Sequence, residues 1–127
     1  MNTATGTGYQ LQILAAAEKL KNVVTRTPLT FSASLSKKYA CNVFLTREDL
    51  QVVRSYKLRG AYNMMSSLTA AETSKGVVCA SAGNHAQGFA YSCKKLNIKG
   101  VVFMPLLRPG KKLRRQKCLG KILLILN

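Results

Sequence analysis

The apolar positions of this chain keep two rhythms. Between residues 9 and 24, Leu11, Leu14, Leu20, Val23 and Val24 recur near helical spacing, and Ala15-Ala16-Ala17 favours helix. Thr27-Pro28 closes that segment, because proline restricts the residue before it. Residues 32–39 predict a short helix capped by a serine, and Ser55 is placed to cap another whose apolar face holds Leu58, Ala61, Met65 and Leu68. Residues 84–96 predict a fourth helix, rich in small side chains, and residues 111–119 a fifth. The second rhythm is that of strands: residues 42–46, then the continuous apolar runs 76–80, 100–104 (stopped by Pro105) and 122–126. Residues 47–51 read as a polar turn, and the small, polar residues 1–8 as a disordered lead.

Strands that are apolar throughout and alternate with helices predict an α/β fold, a parallel sheet with flanking helices on both faces. Right-handed crossovers follow, and ligands in such sheets sit at the carboxyl ends of strands. The segment Ser81-Ala82-Gly83-Asn84-His85-Ala86-Gln87-Gly88 follows strand 76–80 and lies where that rule puts a site.

Composition narrows the picture. A chain of 127 residues is expected to form one domain. There is no apolar run of about 18 residues and no signal-like start, so the expectation is a cytoplasmic protein with no membrane partner. Cys41, Cys79, Cys93 and Cys118 are dispersed and His85 is the lone histidine, which argues against zinc and for reduced, mostly buried thiols. Of the net charge of +16, residues 108–127 carry +7 with no acidic residue. Such a block is either a nucleic-acid surface or an atypical end on an ordinary protein.

Two motifs carry candidate chemistry. Lys57 stands in Ser55-Tyr56-Lys57-Leu58-Arg59-Gly60-Ala61. A lysine that condenses with an aldehyde must be neutral part of the time, although its free pKa is about 10.4. Burial, the nearby Arg59 and the positive end of a helix would each lower that value. Gly60 and Ala61 would allow close approach of a backbone or ring. In the second motif, Gly83 and Gly88 would let a ligand lie against the backbone, and amides at the start of the helix near Asn84 suit a carboxylate or phosphate. Ser81 adds a hydroxyl, and Asn84 can donate or accept. Taken singly, each motif also fits a plainer role: a solvated surface lysine, and an ordinary helix cap with His85 as a satisfied core residue. Gly-x-Gly-x-x-Gly and Gly-x₄-Gly-Lys-[Ser/Thr] are absent, and one histidine with one aspartate makes no convincing triad. Glu48-Asp49 reads as a pair of carboxylates pointing apart in a solvated turn.

The two motifs, in this order, resemble those of threonine dehydratase (threonine ammonia-lyase), among the tryptophan-synthase-β-like pyridoxal-phosphate (PLP) enzymes. The resemblance covers roughly residues 10–105 and rests on residues 47–64, on Ser81 to Gly88 and on residues 21–29, with Tyr56 in place of the usual phenylalanine. It implies a partial fold-type II PLP-enzyme domain over residues 9–106. By the same resemblance, Lys57 would form the internal aldimine, Asn84 would contact the cofactor's 3-oxygen, and Ser81, Ala82, Gly83, Asn84 and His85 would receive the substrate carboxylate. The implied reaction converts L-threonine to 2-oxobutanoate and ammonia, opening isoleucine synthesis. Lys57 would remove the α-proton and the β-hydroxyl would leave; L-serine would give pyruvate. A full-length relative would be a homo-oligomer.

The family's glycine-rich phosphate loop is not found in the sequence, so an incomplete, inactive fragment is expected. From about Leu107 the resemblance gives way to an atypical basic and apolar tail, residues 107–127, for which a reading-frame shift near Leu106 is the hypothesis. Serine racemase or serine dehydratase is the alternative within the class. A nucleic-acid-binding remnant built on residues 108–121 is the alternative outside it, although that stretch lacks interleaved aromatics.

Overall fold

The computed structural model describes residues 8–104 and 122–126. The expected lead over residues 1–8 falls almost wholly outside them, only Gly8 being included. The expected helix over 111–119, the basic stretch 108–121 and Cys118 also lie outside the described residues. The elements run α1 (Gly8–Leu20), β1 (Leu29–Phe31), α2 (Ala33–Tyr39), β2 (Phe44–Thr46), a 3₁₀ turn (Glu48–Leu50), α3 (Lys57–Met65), α4 (Ala70–Ser74), β3 (Val77–Ala80), α5 (Asn84–Leu96), β4 (Gly100–Met104) and β5 (Ile122–Leu126).

The second half follows the sequence pattern closely. β3, β4 and β5 form a parallel sheet in that order, with Val77 opposite Gly100 and Gly100 opposite Ile122. α5 starts and stops where its small-residue run does, ending at Asn97 in the left-handed conformation (φ 55°), which asparagine tolerates better than most residues. The core lies between α3, α5 and one sheet face. Met65, Ala86, Phe89 and Cys93 pack there with Cys79, Val102 and Met104. Ala86, Ala90 and Val102 are fully buried. Full burial of a side chain such as Leu58 contributes roughly 1.5–3 kcal/mol.

Several expectations need correction. Among the described residues only one face of the sheet is covered: Val78 is 72% exposed and Phe103 42%, while their neighbours Cys79 and Val102 are buried. A continuously apolar strand does not reveal which of its faces meets a helix. The strand predicted at 42–46 does not join the parallel sheet. It shortens to β2 and pairs antiparallel with β1, which the pattern did not indicate. That separate ribbon is stiffened by Phe31 and Phe44, whose rings meet edge to face at 5.5 Å. α1 ends at Leu20, and Leu11 and Leu14 are exposed, so among its residues only Leu20 joins the buried set. Ser32 occupies the cap position of α2 without a side-chain bond, while Ser36 Oγ accepts from the Val43 amide at 2.9 Å. Finally, α4 was not anticipated. It is set by Thr69 and Glu72 in a reciprocal capping box.

Candidate functional site

Lys57 is the first residue of α3, preceded by a tight loop in which Arg54 adopts a left-handed backbone (φ 54°). Gln51, Val53 and Ser55 are buried in that loop, alternating with exposed Val52, Arg54 and Tyr56. Ser55 does not hold the cap position of α3, which falls to Tyr56 with no side-chain cap bond; its Oγ instead accepts from the Lys57 amide at 3.2 Å. α3 turns Leu58, Ala61 and Met65 inward. Lys57 lies off that face, so its side chain is exposed, not buried as expected. Its ammonium lies 5.1 Å from the centre of the Tyr56 ring, within cation–π range.

Arg59 is engaged by a carboxylate on the neighbouring turn. Residues two apart on a helix do not face each other. Arg59 grips Glu48 through two bonds, Nε to Oε2 at 2.9 Å and Nη2 to Oε1 at 2.7 Å. Thr27 Oγ1 donates to Glu48 Oε1 at 2.7 Å, and Gln51 ties the same corner to the backbone of Thr25 at 2.7 and 3.0 Å. The Arg59 guanidinium holds the Glu48 carboxyl below its ordinary value of 4.5. Glu48 therefore leaves the solvated-turn role expected for it. Asp49 keeps that role, pairing with exposed Arg47. The two carboxylates do point apart.

The second motif lies in the turn from β3 into α5. Ser81 continues the strand ladder, its amide donating to the Phe103 carbonyl at 3.0 Å, and its Oγ accepts from the Gly83 amide at 3.3 Å. That leaves the Ser81 hydroxyl proton free to donate. Gly83 holds the cap position of α5 with no side-chain acceptor, and a Cβ placed on it would meet nothing within 4 Å. The first amides of a helix have no intrahelical partner. Here they lie at the positive end of a 13-residue helix, an arrangement suited to an anion.

The two motifs meet at Gly88. A Cβ there would lie 3.0 Å from the Lys57 carbonyl oxygen and 3.1 Å from the Leu58 nitrogen. Gly88 thus serves the packing of α5 on the start of α3, not the approach of a ligand as the sequence suggested. Asn84 precedes it by four residues, so both lie on one face of α5. That face is turned toward the peptide of Lys57. Asn84 and His85 are both exposed, which removes the reading of His85 as a core residue. His85 instead lines a cavity of about 400 Å³ with Met64, Leu68, Cys79 and Phe89. No local pattern in the sequence marks this cavity. Among the described residues no group of three or more His, Cys, Asp or Glu is placed to hold a metal ion, and no helix is long and apolar enough to cross a membrane.

An exposed lysine at one helix start lies beside a helix that begins at a strand's carboxyl end, the place where ligands sit in the class of parallel α/β domains. The chain belongs to the pyridoxal-phosphate dependent enzyme family, whose model matches residues 20–126. The match runs past Leu107, where the sequence reading had the resemblance end. The chain is 60% identical over 102 residues to the biosynthetic L-threonine dehydratase IlvA of Staphylococcus epidermidis, an alignment covering 80% of this chain and 24% of that protein. It therefore spans about a quarter of that curated relative. Among solved structures, the processed form of threonine deaminase isoform 2 from Solanum lycopersicum superimposes with a TM-score of 0.76 at 39% identity, over 98% of this chain and 36% of that one. Maize serine racemase does so with a TM-score of 0.83 at 32% identity, over 91% and 35%. The residues present fit one side of pyridoxal phosphate: a free primary amine, an uncapped helix start and clear space before Gly83.

Proposed function

We propose that these residues serve the deamination of L-threonine to 2-oxobutanoate and ammonia, with pyridoxal 5'-phosphate as cofactor. The observation that carries the reading is the junction at Gly88, which sets the peptide of Lys57 against a helix whose uncapped start suits an anion. The bound cofactor supplies an electron sink for the pair left at the α-carbon. The chain's residues do the rest. Lys57 Nζ would hold the cofactor and would accept the α-proton of the substrate. The amides of Gly83, Asn84 and His85, with the Ser81 hydroxyl, bind the substrate carboxylate and fix the α-carbon within reach of Lys57. Ala82 keeps the turn small, and Asn84 would help hold the cofactor through its side-chain amide. We place the reaction in the cytoplasm, in isoleucine synthesis, with the full-length enzyme a homo-oligomer.

Serine chemistry is the second reading, favoured by the superposition on serine racemase. The test is a full-length enzyme carrying residues 8–104 of this chain, assayed on threonine and serine with its Lys57→Ala variant. Faster release of 2-oxobutanoate than of pyruvate, abolished in the variant, is expected. Equal or faster turnover of serine would overturn the choice of substrate, and turnover surviving Lys57→Ala would overturn the site.

A further inference from the structure

We infer that Glu48 is a positioning residue for Lys57, acting through Arg59. The inference rests on the reading of Lys57 as the cofactor lysine. α3 has nine residues, too few to be stable alone, and its first residue is the one that must react. The opening turn is held on two sides. On one, Gly88 of α5 abuts the Lys57 peptide. On the other, the forked Arg59–Glu48 contact joins the helix to the 3₁₀ turn. Thr27 and Gln51 in turn tie that carboxylate and turn to residues 25–27. Arg59 lies two positions past Lys57, about 200° around the helix. The clamp therefore fixes the rotation of the first turn from behind without touching the reactive amine. Side chains on both sides of this contact are substantially shielded, 35% exposed for Arg59 and 19% for Glu48, unlike the open Arg47–Asp49 pair. A planar fork gripping a carboxylate adds direction as well as attraction.

The experiment uses the full chain with limiting pyridoxal phosphate, trapped with borohydride and mapped by peptide mass spectrometry. The readout is the adduct at Lys57 relative to that at exposed Lys94 and Lys95 in the same sample. Wild type is expected to favour Lys57. Glu48→Gln should lower that ratio about tenfold, the scale of a lost charge-assisted contact. Arg59→Lys, which keeps the charge but not the fork, should lower it in the same direction. Asp49→Asn and the remote, destabilising Thr69→Ala should leave it unchanged, which separates positioning from loss of stability. A ratio kept within twofold of wild type in both Glu48→Gln and Arg59→Lys would overturn the inference, and the Arg59 variant decides if Glu48→Gln fails to fold. A fall of equal size in Thr69→Ala would also overturn it. Wild type showing no preference for Lys57 would instead sink the underlying reading, and the inference with it.

Discussion

Replacing Gly88 with alanine opposes two effects, and the structure says which wins. In a helix interior, glycine to alanine gains roughly 1 kcal/mol of backbone entropy and propensity. Against this, the new Cβ would stand 3.0 Å from the Lys57 oxygen and 3.1 Å from both the Lys57 carbon and the Leu58 nitrogen. All three atoms belong to one peptide group, so no flexible side-chain tip can swing aside. α3 cannot retreat cheaply either, since Leu58 is fully buried and Ala61 and Met65 are 6% exposed. Overpacking of this kind costs about 1–3 kcal/mol. The net expectation is a loss of about 1 kcal/mol, or a melting temperature lower by about 4–8 °C for a domain near this size. The same change at Gly60 meets nothing within 4 Å on an exposed part of α3. There the propensity gain stands alone, and stability should rise by roughly 0.5–1 kcal/mol. Urea and thermal denaturation followed by far-ultraviolet circular dichroism measure both. Shifts of the same sign in the two variants would refute the packing argument.

Other outcomes follow from the same coordinates. Burial pushes the Cys93 thiol up to about 11 and raises Cys79 as well, while Cys41 is exposed. An alkylating reagent near pH 8 should modify Cys41 in the native chain and reach Cys79 and Cys93 only after denaturation, as site-resolved mass spectrometry will show. Because the Glu48 carboxyl is held below its ordinary value by Arg59, its contribution is complete above the unfolded carboxylate's pKa and disappears as pH falls through the lower folded value. A stability–pH profile of Glu48→Gln should accordingly be flatter on its acid limb than that of wild type; an unchanged slope would contradict the pairing. Thr69→Ala removes the side-chain half of the capping box of α4 and should cost about 1 kcal/mol by urea denaturation; the Glu72 carboxyl, held below its ordinary value by the Thr69 amide and then its hydroxyl, should rise part of the way back in an NMR titration.

The parts legible in the sequence are those governed by local pattern. β3, α5 and β4 are marked out by unbroken apolar runs, a small-residue helix and turn-forming neighbours. The parts that were not legible are tertiary. β1 has three residues, and only its pairing with β2 makes it a strand. Glu48 finds Arg59 eleven positions away and Thr27 twenty-one away, a meeting that no local pattern announces. Gly88 was visible as a special glycine, yet its purpose depends on which backbone lies opposite. Which of Val78 and Cys79 is buried was hidden for a different reason: both are apolar, and the position of α5 favours Cys79. The resemblance located Lys57 and Asn84 in the sequence. The shared face of Gly88 and Asn84 then supplied the physical link between the two motifs.

The account stands on Lys57 being the amine that the cofactor selects. Trapping a sub-stoichiometric amount of pyridoxal phosphate on the native chain with borohydride, then mapping every modified lysine, tests this most directly. The account predicts one dominant adduct at Lys57, lost when the chain is unfolded in urea before trapping. Adducts spread evenly over Lys57, Lys75, Lys94 and Lys95, native and unfolded alike, would contradict it.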